Sequence, residues 1–287
     1  MKTLRMLLLS SRPLSWVNTA YPFAAAYLLT SREVDLAWVI GTLYFLIPYN
    51  LAMYGINDVF DYESDLRNPR KGGVEGAVLD RTLHAVTLRA AIATNVPFLA
   101  ALVLLGSPLS WLVLAVSIFA VVAYSAPGLR FKERPFLDSM TSSTHFVSPA
   151  AYGLVLAQAE FPLPLTALLG AFFLWGVASH AFGAVQDVIA DRAGGIGSIA
   201  TVIGAPATVR FAVGAYLTAG VLLLFTPWPG KLAALLVLPY VANVLPFAAV
   251  KDEESELAHR GWERFLWLNY ITGFFVTMLL IWYAATR

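Results

Sequence analysis

Apolar residues dominate this chain in long blocks separated by short polar breaks. A bilayer span needs roughly 20 mostly apolar residues. Nine stretches qualify: about 13–30, 36–56, 83–105, 109–125, 136–158, 163–186, 207–226, 230–250 and 263–284. All are too long and too apolar for strands. Helices also satisfy their own backbone groups where no water can reach. The pattern predicts an all-α, polytopic membrane protein, with nine transmembrane helices in a bundle around a central cavity.

The breaks are of two kinds. Gly106-Ser107-Pro108, Phe161-Pro162-Leu163-Pro164 and Pro227-Trp228-Pro229-Gly230 are short and uncharged. The connections 57–82, 126–135, 187–206 and 251–262 are longer and charged. Basic residues set orientation. With the N-terminus in the cytoplasm, 16 of the 19 Lys and Arg residues fall on or near that side, leaving Arg32, Lys231 and Arg287 outside. An odd number of spans then puts the C-terminus outside.

Composition agrees with a lipid-facing surface. The chain is 59% hydrophobic and 13% charged, with a mean hydropathy of +0.69, whereas a soluble domain carries about 25% charged residues. A net charge of +1 gives no sign of a nucleic-acid partner. The absence of cysteine excludes disulfides, thiolate metal sites and a cysteine nucleophile. No cleavable leader is expected, because Met1–Ser11 is short and the apolar region after Arg12 runs on into a full span.

Two acidic motifs lie on the same side of the expected bundle. Asn57-Asp58-Val59-Phe60-Asp61-Tyr62-Glu63-Ser64-Asp65 follows the second span, and Asp187-Val188-Ile189-Ala190-Asp191 follows the sixth. Asp187 lies 126 residues after Asp61, about four helices with their loops, and Arg and Gly follow each motif. This weak repeat suggests one integral-membrane domain, 1–287, of two pseudo-repeat halves (about 13–125 and 136–250) plus a ninth helix, with the motifs on opposite walls.

Helical spacing puts Asn57, Asp61 and Asp65 on one slowly drifting face, which Asp58 joins. Glu63 points elsewhere. Asp187 and Asp191 form a second i, i+4 pair. Clustered carboxylates raise one another's pKa, and a cation removes that cost. Mg2+ prefers hard oxygen ligands and is commonly shared between one or two carboxylates and substrate phosphates. The two clusters therefore suit ionisation of an allylic diphosphate, with Asn57, Asp58, Asp61, Asp65, Asp187 and Asp191 as candidate catalytic residues. The alternative is that acids at helix ends simply cap helices and meet water.

Arg67, Arg70, Lys71, Arg130, Lys132 and Arg192 lie near these motifs and suit phosphate oxygens, although orientation alone would also place basic residues there. Gly72-Gly73 and Gly194-Gly195-Ile196-Gly197-Ser198 read as turn or lid segments without a phosphate-loop spacing. Polar residues inside spans are functional candidates: Asn18 in the first; Asp138, Ser142, Ser143, Thr144, His145 and Ser148 in the fifth; and His180, seven residues before Asp187. His180 and His145 are candidate proton acceptors, with interhelical hydrogen bonding as the alternative. Tyr54, Tyr62, Tyr124 and Trp175 suit either cation shielding or the interfacial belt.

The Asn57-Asp58-x-x-Asp61-x-x-x-Asp65 and Asp187-x-x-x-Asp191 motifs, the loop Tyr124-Ser125-Ala126-Pro127-Gly128-Leu129-Arg130-Phe131-Lys132 and the nine spans together resemble the UbiA superfamily of intramembrane prenyltransferases. The resemblance covers essentially the whole chain. It implies two Mg2+ ions bridging a prenyl diphosphate in a helical cavity open to lipid. Asn57, Asp61, Asp65, Asp187 and Asp191 would be metal ligands, and Arg67, Arg70, Lys71, Tyr124, Arg130, Lys132 and Arg192 diphosphate ligands. Gly128 stands where a second proline is common.

Ser11-Arg12-Pro13-Leu14-Ser15-Trp16-Val17-Asn18-Thr19, Asp65-Leu66-Arg67-Asn68-Pro69-Arg70-Lys71-Gly72-Gly73 and Asp191-Arg192-Ala193-Gly194-Gly195-Ile196-Gly197-Ser198 look like the lycopene elongases of C50 carotenoid pathways, within the same superfamily. Arg70-Lys71-Gly72-Gly73 departs from the Arg-x-x-Arg-Pro ending common in quinone-pathway members. The resemblance implies a transferase in the cell membrane. It would move a dimethylallyl group from dimethylallyl diphosphate (DMAPP) to C2 of lycopene or a related apolar acceptor, with other carotenoid-pathway membrane enzymes as possible partners. A second round would extend C40 through C45 to C50. The final cation would lose a proton or take up water. The rivals are a relative with an aromatic acceptor, a CDP-alcohol phosphotransferase and a cation transporter. The chain lacks the Asp-Gly-x-x-Ala-Arg run of the phosphotransferases.

Overall fold

The computed structural model describes residues 2–62 and 79–286. Among the described residues there is no strand. The chain divides into two compact units. One comprises Met1–Phe131 and Thr144–Ala159; the other comprises Lys132–Ser143 and Glu160–Arg287.

The first unit contains α1 (Lys2–Ser10), a 3-10 turn at Pro13–Ser15, α2 (Val17–Ser31), α3 (Leu36–Leu46), α4 (Pro48–Phe60), α5 (Arg81–Leu105), α6 (Pro108–Ser125) and most of α7 (Leu137–Leu156). Its core is aromatic. Phe45 lies 5.2 Å from Phe23, 4.9 Å from Tyr44 and 5.1 Å from Tyr49, centroid to centroid. All four rings are fully buried. The stretch expected as one span at 36–56 is two helices, because Pro48 cannot donate into the helical ladder. Asn50 answers that break. Its Nδ2 donates to Phe45 O at 2.8 Å, Leu46 O at 3.1 Å and Thr19 Oγ1 at 2.7 Å, so the released carbonyls are satisfied inside the protein.

Gly153 on α7 permits close contact with α2: a Cβ there would stand 2.7 Å from Phe23 O. A methyl group at that point must displace backbone. Gly153→Ala should lower thermal stability in detergent by about 1–3 kcal/mol. An unchanged melting temperature would mean that the α2–α7 contact yields freely.

The second unit contains the start of α7, α8 (Leu163–Val185), α9 (Val188–Gly194), α10 (Ile199–Ile203), α11 (Ala205–Leu223), α12 (Val237–Val244), α13 (His259–Ala285) and 3-10 segments at Gly230–Leu236, Leu245–Phe247 and Asp252–Ala258. α8 and α11 pack through buried small residues, among them Ala171, Ala178 and Ala181 on one side and Ala205, Ala212 and Ala219 on the other. Small side chains let helices approach closely where lipid offers no hydrophobic drive. Tyr216 stacks on Tyr240 at 5.3 Å, and Trp262 on Phe265 at 4.9 Å.

Seven helical stretches among the described residues are long and apolar enough to cross a bilayer. They are Leu36–Phe60, Arg81–Leu105, Pro108–Ser125, Leu163–Val185, Ala205–Leu223, Gly230–Phe247 and Asp252–Ala285. The other two expected spans are helical but do not meet that description. α2 has only 15 residues, and α7 carries Asp138, His145 and a run of Ser and Thr.

Candidate active site

The first acidic motif begins on the last turn of α4. Asp61 caps that helix, its N–H donating to Asn57 O at 2.9 Å. The Asn57 and Asp61 side chains meet the loop after α6. Ser125 Oγ donates to Asn57 Oδ1 at 2.8 Å. The Arg130 guanidinium stands 3.8 Å from Asp61 Oδ1, a carboxylate that is only 7% exposed. Arg130 reaches this position with φ at 40°, in the left-handed region, after Gly128 at 85°. Turn bonds from Leu129 N and Arg130 N to Ala126 O hold the loop. Side chains of two separate sequence signals, Asn57 and Asp61 from one and Ser125 and Arg130 from the other, thus come together in one unit.

Asp58 faces another way. Ser10 Oγ donates to its Oδ2 at 2.9 Å and Arg12 Nη2 to its Oδ1 at 2.9 Å. Tyr124 lies edge-on to His145 with centroids 5.2 Å apart. Arg81 sits over the Tyr62 ring at 5.1 Å, and His84 packs edge-on to that ring at 5.0 Å. Asn18 is exposed in the first turn of α2, whereas its neighbour Thr19 is buried. Glu63, Asp65, Arg67, Arg70, Lys71 and Gly72-Gly73 lie outside the described residues.

The second motif straddles a helix break. α8 ends at Val185 and α9 starts at Val188. The Asp191 N–H donates to Asp187 O at 2.8 Å, so the i, i+4 relation holds across α9's first turn. The break interrupts the helical phase that would have carried from His180 to Asp187. His180 Nδ1 lies 3.2 Å from Ser139 Oγ. Asp138 beside it is fully buried and accepts from Ser139 N at 2.7 Å and Ile199 N at 2.8 Å.

Arg192 is held by its own unit: Nη1 pairs with Asp252 Oδ2 at 2.7 Å, and Nε and Nη2 donate to Thr201 O at 3.2 and 2.9 Å. Asp252 also accepts from Ala205 N at 2.6 Å. Arg192 thus ties α9 to α10 directly and to α11 through Asp252. Lys132 lies in the 3-10 turn Phe131–Glu133.

Sequence reading did not pick out Arg12, Ser125 or Asp252 as functional residues. Ser125 carried a signal, since it stands inside the Tyr-Ser-x-Pro loop. Arg12 stands in the Ser11–Thr19 run. Asp252 carried none beyond the charge of its loop.

Among the described residues, no three His, Asp or Glu side chains cluster so as to hold a metal. The donor chemistry nonetheless fits Mg2+. One carboxamide oxygen and three carboxylates, from Asn57, Asp61, Asp187 and Asp191, are hard ligands. A small number of them suits an ion shared with substrate phosphates.

Residues 19–270 match the model of the UbiA prenyltransferase family. The chain belongs to that family. It is therefore a prenyltransferase and a multi-pass membrane protein. It is 53% identical, over 98% of its length and 98% of the relative's, to the lycopene elongase/hydratase of Corynebacterium glutamicum. It is 60% identical over 95% of its length to the C(50) beta-cyclic carotenoids biosynthesis protein LbtBC of a Dietzia species, but spans only 63% of that relative. A UbiA homolog from Archaeoglobus fulgidus, solved bound to DMAPP and Mg2+, shares the fold with a TM-score of 0.66 at 19% identity, over 95% of this chain and 99% of that one.

Proposed function

We propose that this UbiA-family protein transfers dimethylallyl groups from DMAPP to the C2 end carbons of lycopene, extending C40 to C45 and C50 carotenoids. The observation that carries this reading is the 53% identity to a lycopene elongase/hydratase along nearly the full length of both chains. The cluster of Asn57, Asp61, Ser125 and Arg130 supports it by gathering hard oxygen donors and a guanidinium at one helix end.

In this reading Asn57, Asp61 and Asp65, together with Asp187 and Asp191, hold Mg2+, with two ions. When bound, Mg2+ neutralises the charge that develops on the leaving diphosphate. Arg130, Tyr124, Lys132, Arg67, Arg70 and Lys71 bind and orient that diphosphate. Arg192 supports Asp191 through the packing of α9. The allylic C–O bond of DMAPP breaks and diphosphate leaves with the bonding pair. The C1=C2 double bond of lycopene then attacks through C2, which leaves a tertiary cation at C1. That cation loses a proton, which His180 against Ser139 or His145 against Tyr124 accepts, or it takes up water. The acidic motifs, the N-terminus and the charged loops face the cytoplasm, and the C-terminus lies outside.

Expression in a lycopene-producing host tests the reading. Pigment analysis should show C45 and C50 carotenoids appearing at the expense of lycopene. Unchanged lycopene together with prenylation of an aromatic acid by the same membranes would replace this acceptor with an aromatic one.

A further inference from the structure

We propose that Asp58 is a positioning residue whose pairing with Arg12 and Ser10 sets the Mg2+-binding end of α4. The inference rests on the reading that Asn57 and Asp61 hold Mg2+. Sequence spacing placed Asp58 with the metal-binding acids. Its surroundings assign it a different task.

Asp58 is 1% exposed. Both carboxylate oxygens face the end of α1 and the turn that follows it: Oδ2 accepts from Ser10 and Oδ1 from Arg12, each at 2.9 Å. The Arg12 guanidinium also lies 4.5 Å from the centroid of the Tyr54 ring, one helical turn below Asp58 on the same face of α4. α4 therefore presents an aromatic ring and a carboxylate in register, and one arginine engages both. Ser10 is fully buried. α1 approaches α4 at Gly55, where a Cβ would stand 3.6 Å from Ser10 Oγ and 3.0 Å from Thr87 Cγ2.

Arg12 adopts φ 51° and ψ 74°, the left-handed region. A non-glycine residue stays there only when its surroundings over-determine it. The ion pair and the ring contact are that determination. Strain of this kind marks a segment built to deliver its side chain to one place.

Asp58 is the immediate neighbour of Asn57 and lies three residues before Asp61, on the final turn of α4. Clamping Asp58 from the α1 side fixes the roll of the turn. It thereby fixes the directions of Asn57 Oδ1 and the Asp61 carboxylate toward the Ser125–Arg130 loop. Groups that orient metal ligands typically change metal affinity 10–100-fold when removed.

The test uses the purified full-length protein in detergent. The readouts are thermal stabilisation by Mg2+ with inorganic pyrophosphate, and the Mg2+ dependence of turnover. Asp58→Asn and Arg12→Gln should each raise the Mg2+ concentration for half-maximal stabilisation by about tenfold or more, with a parallel shift in the turnover curve. The double variant should be no worse than the weaker single one, because both changes break one pair. Asp61→Ala should lose the Mg2+ response outright.

A Mg2+ midpoint within about twofold of wild type in Asp58→Asn or Arg12→Gln overturns the positioning role. So does a complete loss in Asp58→Asn alone, which would make Asp58 itself a ligand. A wild-type Mg2+ response in Asp61→Ala would instead overturn the metal assignment on which the proposal rests. Where Arg12→Gln fails to fold, because it strips the cation from the buried Asp58 carboxylate, Asp58→Asn decides, since the Arg12 guanidinium is partly exposed and can turn toward water.

Discussion

Asp61→Ala is expected to reduce turnover about a thousandfold or more, while the protein stays folded in membranes. Asp61 caps α4 and presents a carboxylate beside Arg130. In the proposed reaction that carboxylate holds the ion that neutralises the leaving diphosphate, and metal stabilisation of developing charge supplies several kcal/mol. A loss of ~4 kcal/mol corresponds to about three powers of ten in rate. Folding should survive because the backbone capping bond from Asp61 N to Asn57 O needs no side chain. Arg130, relieved of its carboxylate, is about one-third exposed and can turn toward water. The measurement is DMAPP-dependent pigment formation in membranes, with monodispersity in detergent as the control for folding. Near-normal turnover would remove Asp61 from the metal site.

Asp138→Ala should act on stability. Its carboxyl is fully buried and accepts two backbone N–H groups, from Ser139 and from Ile199 at the start of α10. The first N–H groups of a helix have no partner within it. Removing the acceptor leaves a buried donor unsatisfied and costs about 3 kcal/mol. For a chain of this size that is about 6–12 °C in melting temperature. Asp138→Asn keeps one acceptor oxygen and should lose less. A variant that melts like wild type but turns over slowly would give Asp138 a chemical role instead, acting through Ser139 on His180.

These two aspartates show how far sequence reading reaches. Asp61 was legible because its spacing from Asn57, inside a charged break after an apolar block, is a local regularity. Asp138 was legible only as a polar residue in a span. Its partner Ile199 lies 61 residues away, and no periodicity connects them. The same limit hid Arg12, which is 46 residues from Asp58, and Asp252, which is 60 residues from Arg192. Helical arithmetic also fails at breaks. His180 and Asp187 share a face only along a continuous helix, and α8 ends between them.

By itself, the sequence determined the all-helical membrane class, the places of the long helices and the residue types of the candidate site. Hydropathy and i, i+4 spacing are properties of one contiguous segment, and a bilayer leaves the backbone few alternatives. Only the tertiary structure decided which of these charged groups pair with distant parts of the protein. It turned Asp58 toward Arg12, Asp138 toward the start of α10 and Arg192 toward Asp252. Those choices follow from what packs beside each carboxyl or guanidinium, because a buried polar group must find its partner wherever the fold brings one.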